Sequence, residues 1–340
     1  MRRLGLVVAV VGLLGLAACG SDSKKETTSS SGGQASEISL RAGVNDPSDV
    51  TIAVLAYLPQ AITVGQGTTV SWTIAGPEPH SVTFLPPGQT MPSPESAEGQ
   101  KLFAPTPPTG SYDGKSLVNS GLVPLGPQAA PPFKVKFDTA GSYKFACVIH
   151  PQMTGTVTVV ATGTKADTQA DVQTRGDTEM NQWLTEGRAA KKAMTDKAPA
   201  KTANADGTTT WTIEMGASTA HTDILAFAPV PAAIKAKDKV VFVNNSSAPH
   251  TASFAGKQSL PQNPTDPAVN APKPGASPQT LNATDFINTG LLPPNAAAPG
   301  QTPPPLAARS FTFTVPATGQ YAYVCLLHVT SGMAGVINVA

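Results

Sequence analysis

Short runs in which apolar and polar side chains alternate recur along most of this chain. Ile62-Thr-Val64 and Val70-Ser-Trp-Thr-Ile74 flank a Gly65-Gln66-Gly67 turn. β-Branched and aromatic residues at every second place suit half-buried strands. Phe133-Lys-Val-Lys-Phe137 alternates strictly, so Phe133, Val135 and Phe137 share one sheet face. Phe311-Thr-Phe-Thr-Val315 repeats that pattern, and Tyr143-Lys-Phe145 and Thr156-Val-Thr-Val159 predict two further strands. Short strands divided by turns predict an antiparallel sandwich or barrel. One stretch has helical spacing instead. Asp177 or Thr178 can cap a helix carrying Met180, Trp183, Leu184 and Met194, with Lys191 and Lys192 near its C-terminal end. Such a helix packs one apolar edge on a domain and carries no chemistry.

The alternating pattern occurs twice, in the same order. Pro59-Gln-Ala-Ile62 is echoed by Pro231-Ala-Ala-Ile234, and Pro79-His80-Ser-Val-Thr-Phe84 by Pro249-His250-Thr-Ala-Ser-Phe254. Val118-Asn-Ser-Gly-Leu-Val-Pro124 is matched by Ile287-Asn-Thr-Gly-Leu-Leu-Pro293. Gly141-Ser-Tyr-Lys-Phe-Ala-Cys147-Val-Ile-His150 is matched by Gly319-Gln-Tyr-Ala-Tyr-Val-Cys325-Leu-Leu-His328. The chain is a duplicated unit. Residues 37–161 and 207–340 are the expected domains, with 162–206 as the linker holding the helix. Pro-rich inserts at 86–111 and 256–283 read as loops over the domain surface.

Charge alters this picture little. With 23 basic and 22 acidic residues the formal net charge is +1, and charged residues make up only 13% of the chain. That excludes a basic footprint for nucleic acid. The N-terminus alters it more. Met1-Arg2-Arg3, the apolar run Leu4 to Leu16 and the small residues before Cys19 form an export leader over residues 1–18. Leu16-Ala-Ala-Cys19 resembles a bacterial lipobox, which implies a lipid on the Cys19 thiol. Residues 19–36 then form a flexible tether. The expected location is extracytoplasmic, lipid-anchored at the cell membrane.

Two cysteines remain, and each opens a compact motif. Cys147-Val-Ile-His150-Pro-Gln-Met153 reads C-x2-H-x2-M, and Cys325-Leu-Leu-His328-Val-Thr-Ser-Gly-Met333 reads C-x2-H-x4-M. Each has a distant Pro-His upstream, at His80 and His250. Four of the five histidines of the chain therefore fall in these two sets. Two imidazoles, a thiolate and a weak thioether suit an ion that cycles between +1 and +2, the blue-copper combination. Zinc also accepts Cys and His, although the thioether favours copper. A disulfide between the two thiols is the competing use of these residues.

On these motifs each half resembles a plastocyanin/azurin-type cupredoxin. The resemblance implies an all-β chain of two tandem Greek-key cupredoxin sandwiches joined by a linker with a short helix. It implies two copper ions, one held by His80, Cys147, His150 and Met153, the other by His250, Cys325, His328 and Met333. His150 or His328 would lie near the surface as the electron exit. The family usually has Asn after the first His; Ser81 and Thr251 stand there, and their hydroxyls can hydrogen-bond the ligand-loop backbone. The function implied is electron transfer with a redox partner protein. Storage, delivery or sensing of copper is the alternative, but no Met- or His-rich tract supports it. Catalysis is not expected: the chain has no His-x-His pair for a trinuclear cluster, and Ala146 and Val324 precede the cysteines where related reductases have His. His221 is the one spare histidine and reads as an exposed or capped residue.

Overall fold

The computed structural model describes residues 35–74, 76–94, 96–123, 130–261, 277–295 and 302–340. The leader, Cys19, nearly all of the tether and much of the second Pro-rich insert lie outside the described residues. Among the described residues, no helix is long and apolar enough to cross a membrane.

The first half contributes β1 (Glu37–Asp46), β2 (Asp49–Leu58), β3 (Ala61–Gly65), β4 (Thr68–Ile74), β5 (Thr83–Phe84), β6 (Val118–Asn119), β7 (Phe133–Phe137), β8 (Gly141–Ala146) and β9 (Thr154–Val160), with a short helix α1 (Ala97–Lys101) in its insert. After α2 (Gln169–Thr195) come β10 (Lys201–Ala203), β11 (Thr209–Ser218), β12 (Thr222–Ala228), β13 (Lys239–Asn244), β14 (Ser253–Phe254), β15 (Gln279–Thr280), β16 (Ile287–Asn288), β17 (Ser310–Thr314), β18 (Gly319–Val324) and β19 (Ala334–Val339). The strands read from alternation are all present. In the first half β1, β4 and β7 face a second sheet ordered β3-β9-β8-β5-β6. Trp72, Phe84, Phe137 and Phe145 fill the space between them with edge-on and tilted ring contacts. The second half repeats the arrangement around Phe242, Phe254, Phe313 and Tyr323.

The halves are not separate beads. Strand β12 pairs antiparallel with β2, through Thr222 with Val54, Asp223 with Ala53 and Ile224 with Ile52, so one sheet runs through both sandwiches in the order β15-β17-β13-β11-β12-β2-β1-β4-β7. Strand β2 is buried on both faces. Ala53 and Leu55 join the core of the second half, Tyr57 that of the first, while Ile52, Val54, Ala56 and Leu58 point at α2. The helix lays Trp183, Leu184 and Met194 on this junction, each burial contributing about 1.5–3 kcal/mol. Its polar edge is tied down as well: Arg188 Nε lies 2.6 Å from Asp46 Oδ2 and Lys191 Nζ 2.5 Å from Asp49 Oδ2. The helix starts earlier than its apolar spacing predicts. Thr168 is the cap, its hydroxyl accepting the Asp171 N–H while Asp171 accepts the Thr168 N–H. His221 serves the junction too, its carbonyl accepting the Leu55 N–H at 2.9 Å and its ring stacking on Trp183 at 4.3 Å.

Candidate metal centres

Each centre is assembled from three parts of a sandwich. The upstream histidine comes from the chain entering β5 or β14. His80 is pinned there by paired backbone hydrogen bonds with Val123, 2.8 Å each way, and His250 by the equivalent pair with Leu292. The cysteine ends β8 or β18. Its own N–H bonds back across the ligand loop, Cys147 to the Met153 carbonyl and Cys325 to the Met333 carbonyl, both at 2.9 Å. The loop thus closes on itself before β9 or β19 begins. Met153 and Met333 are fully buried beside their cysteines, in the cores of the first and second halves.

The side chains converge. His80 Nδ1 and His150 Nδ1 stand 3.1 Å apart, with Cys147 Sγ 3.5 Å from the latter. In the second centre His250 Nδ1 and His328 Nδ1 are also 3.1 Å apart, with Cys325 Sγ 3.7 and 3.2 Å away. The ligand atoms of each trio lie within 4.8 Å of one another, and every residue is buried. Both thiols are free, so no disulfide joins them. Two ring nitrogens directed at the same point as a buried sulfur have no better use among themselves than one shared proton. A soft, imidazole-binding ion satisfies all three, and the donor set fits copper.

A second layer holds these ligands. The Ser81 hydroxyl accepts the Val148 N–H at 2.9 Å, and the Thr251 hydroxyl accepts the Leu326 N–H at 2.9 Å. The N–H groups of Ser81 and Thr251 point at the two sulfurs, at 3.3 and 3.4 Å. From Ser81 the network continues through Thr83 to Asn119, whose amide donates to the carbonyls of Leu102 and Ala104 in the first Pro-rich insert. In the first half the Asn119-Ser-Gly segment thus fastens the insert to the ligand layer, and in the second the Ser253 hydroxyl bridges Thr251 and Asn288 in the same manner as Thr83. Behind each upstream histidine lies a glycine at a bulge between adjacent strands. Gly43 (φ +68°) is so close that a Cβ there would fall 2.0 Å from His80 Nε2; at Gly216 (φ +74°) it would fall 2.9 Å from His250 Nε2.

The electrostatics of the two centres differ. Burial pulls His80 down to about 4, and burial with the neighbouring imidazoles of His80, His328 and His250 pulls His150 well below the usual range. Burial raises the Cys147 thiol. His250 is likewise lowered, by burial and then by His328. His328 behaves otherwise. Burial works against its charge, but the Glu78 carboxylate and the Cys325 sulfur prevail and hold it well above the ordinary imidazole value. Glu78 comes from the first half, 1% exposed, with Oε2 3.0 Å from His328 Nε2 and its other oxygen accepting from Ser331. Asp223 Oδ2, also buried, lies 3.9 Å from His250 Nε2. Burial raises the Asp223 carboxyl to about 6.

One expectation is corrected here. Neither His150 nor His328 is a surface exit; each is only 3% exposed. The ligand ends of the two halves are close to one another: Glu78 of the first covers the His328 ring of the second, and the His250 and His328 imidazoles act on His150. Glu78 and Asp223 were not picked out from sequence. The available signal was the mismatch between repeats, Pro77-Glu-Pro-His80 against Ser247-Ala-Pro-His250, which sets a charge opposite an alanine.

The family model for copper-binding proteins of the plastocyanin/azurin family matches residues 44–160 and again 213–340. A search of the curated proteins finds no match. Among solved structures, a copper(I) form of an amicyanin mutant is 18% identical, covering 36% of this chain and 82% of that one, with a TM-score of 0.24. The oxidised plastocyanin of Dryopteris crassirhizoma is 25% identical, covering 36% of this chain and 99% of that one, with a TM-score of 0.21.

Proposed function

Since this chain belongs to the plastocyanin/azurin family of copper-binding proteins, we propose that it is a two-centre electron carrier rather than an enzyme. The first ion would be held by His80, Cys147, His150 and Met153, the second by His250, Cys325, His328 and Met333. The observation that carries this reading is the pair of fully buried Cys/His/His clusters, one in each sandwich. Bound copper supplies a one-electron couple. The protein supplies ligands that do not move: His80 and His250 are clamped by strand-like bridges, and Ser81 and Thr251 fix the loops that bear the sulfurs. Rigid ligands reduce the rearrangement that accompanies a change of charge, which favours fast exchange. Burial on all sides suits retention of the metal rather than its delivery. The leader and lipobox sequence supports placement outside the cytoplasm, anchored through Cys19 and serving a separate redox protein. The test is copper content and visible absorption of the purified protein. Two ions per chain and an intense thiolate-to-copper band are expected, and Cys147→Ser should remove about half of that band. One ion, or an undiminished band in the variant, overturns the assignment.

A further inference from the structure

The duplicated centres share a donor set but differ in the charges around them. At the second centre, Glu78 Oε2 is 3.0 Å from His328 Nε2 and Asp223 Oδ2 is 3.9 Å from His250 Nε2. Both carboxylates are buried. Among the described residues no carboxylate forms a contact-distance ion pair with His80 or His150, and Glu78 acts on His80 only through space. Negative charge beside a metal site favours the more positive ion, and in a buried place that preference is only weakly screened by water. Glu78 meets the His328 ring edge turned away from the sulfur. The matching edge of His250 lies 2.6 Å from the Ser246 hydroxyl with Asp223 beyond it, so neither carboxylate competes for the ligand positions at Nδ1. Glu78 also stands two residues before His80, in Glu78-Pro79-His80. It therefore runs from one ligand set directly onto the other.

We propose that Glu78 and Asp223 make the two metal centres unequal, so that the second holds its ion in the oxidised state more firmly than the first, with Glu78 the positioning residue by which one sandwich acts on the other's centre. This rests on the electron-carrier reading. When one electron is shared between the loaded centres it resides on the first, with the ion there at +1 and the ion at the second at +2. The duplicated unit has a built-in direction.

Single-centre variants of the full chain separate the two contributions. Cys325→Ser leaves only the first centre to report, and Cys147→Ser only the second; each is titrated spectroelectrochemically. The second centre is expected to have the lower potential, by at least tenfold in the oxidised-to-reduced ratio, about 59 mV for a one-electron couple. Adding Glu78→Gln should raise the potential of the second centre, and that of the first by clearly less. A merely structural role for Glu78 would not produce that selective shift. Equal potentials, a higher second potential, or an equal shift at both centres overturns the proposal. Should Glu78→Gln fail to fold by circular dichroism, Asp223→Asn gives the same discrimination from the other ligand: an unchanged second potential counts against the proposal. Absence of an intense visible band from both single-centre proteins would instead defeat the copper reading itself.

Discussion

Replacing Gly43 with alanine adds one methyl group, yet it should disable one centre and spare the other. The added carbon would lie 2.0 Å from His80 Nε2 and 2.4 Å from its Cδ2, well inside contact distance. Relief cannot come from the backbone of His80, which is held by two hydrogen bonds to Val123, and the ring is 1% exposed with packed neighbours. The ring must therefore swing, carrying Nδ1 away from its 3.1 Å approach to His150. A left-handed φ of +68° adds about 1–2 kcal/mol of strain for a residue with a Cβ, and overpacking a tight interior adds about 1–3 kcal/mol. Disturbing a ligand's support commonly costs about 10–100-fold in metal affinity. Copper competition titrations on Gly43→Ala, made in the Cys325→Ser and Cys147→Ser backgrounds, should find that loss only where the first centre reports. Gly216→Ala is the internal comparison, since its carbon would lie 2.9 Å from His250 Nε2 and 2.6 Å from Ser246 Cβ, a milder clash with the ligand. Wild-type affinity in Gly43→Ala, or equal losses at both centres, would refute the reasoning.

Arg188→Ala tests the tie between helix and sheet. The Arg188 guanidinium, with Ser48, holds the buried Asp46 carboxyl at about 2 against an ordinary 3.8. A depressed carboxyl stabilises the fold above its unfolded value and loses that contribution as pH falls through about 2. The variant should show a lower urea midpoint at pH 7, with the gap to wild type closing as the medium is acidified below pH 4. Ser81→Ala removes the acceptor for the Val148 N–H and should cost about 1–3 kcal/mol in thermal unfolding while shifting the absorption of the first centre alone. Thr251→Ser keeps the hydroxyl and should leave the second nearly unchanged. Cys19→Ala should release the protein from the membrane fraction on cell fractionation, with its copper content intact.

Much of the architecture was legible because its strands are half-buried. In Phe133-Lys-Val-Lys-Phe137 one face meets the core and the other water, so period-two alternation is written plainly. Strand β2 escaped for the opposite reason: from Ile52 to Leu58 both faces are covered, and a continuous apolar run carries no period. That same run was the mark of the junction. The first turns of α2 escaped because their polar cap at Thr168 and Asp171 precedes most of the apolar stripe. Ligand-type residues were legible from local spacing and repetition. Their surroundings were not, because Glu78 reaches Ser331 across 253 residues and no local pattern encodes such a partner. The exit expected at His150 or His328 failed on that point. It assumed that each sandwich keeps its ligand end in solvent, and the pairing of β12 with β2 brings these ends close together.

Strand β2 carries one more implication. Producing either sandwich without the other would leave β2 or β12 without its partner's hydrogen bonds, a rank of amide and carbonyl groups with nothing to answer them, flanked by oily side chains. An isolated half would be sticky, prone to zip onto a stray copy of itself. The two copies of the ancestral unit have become inseparable, a single body with one seam and no clean place to divide it.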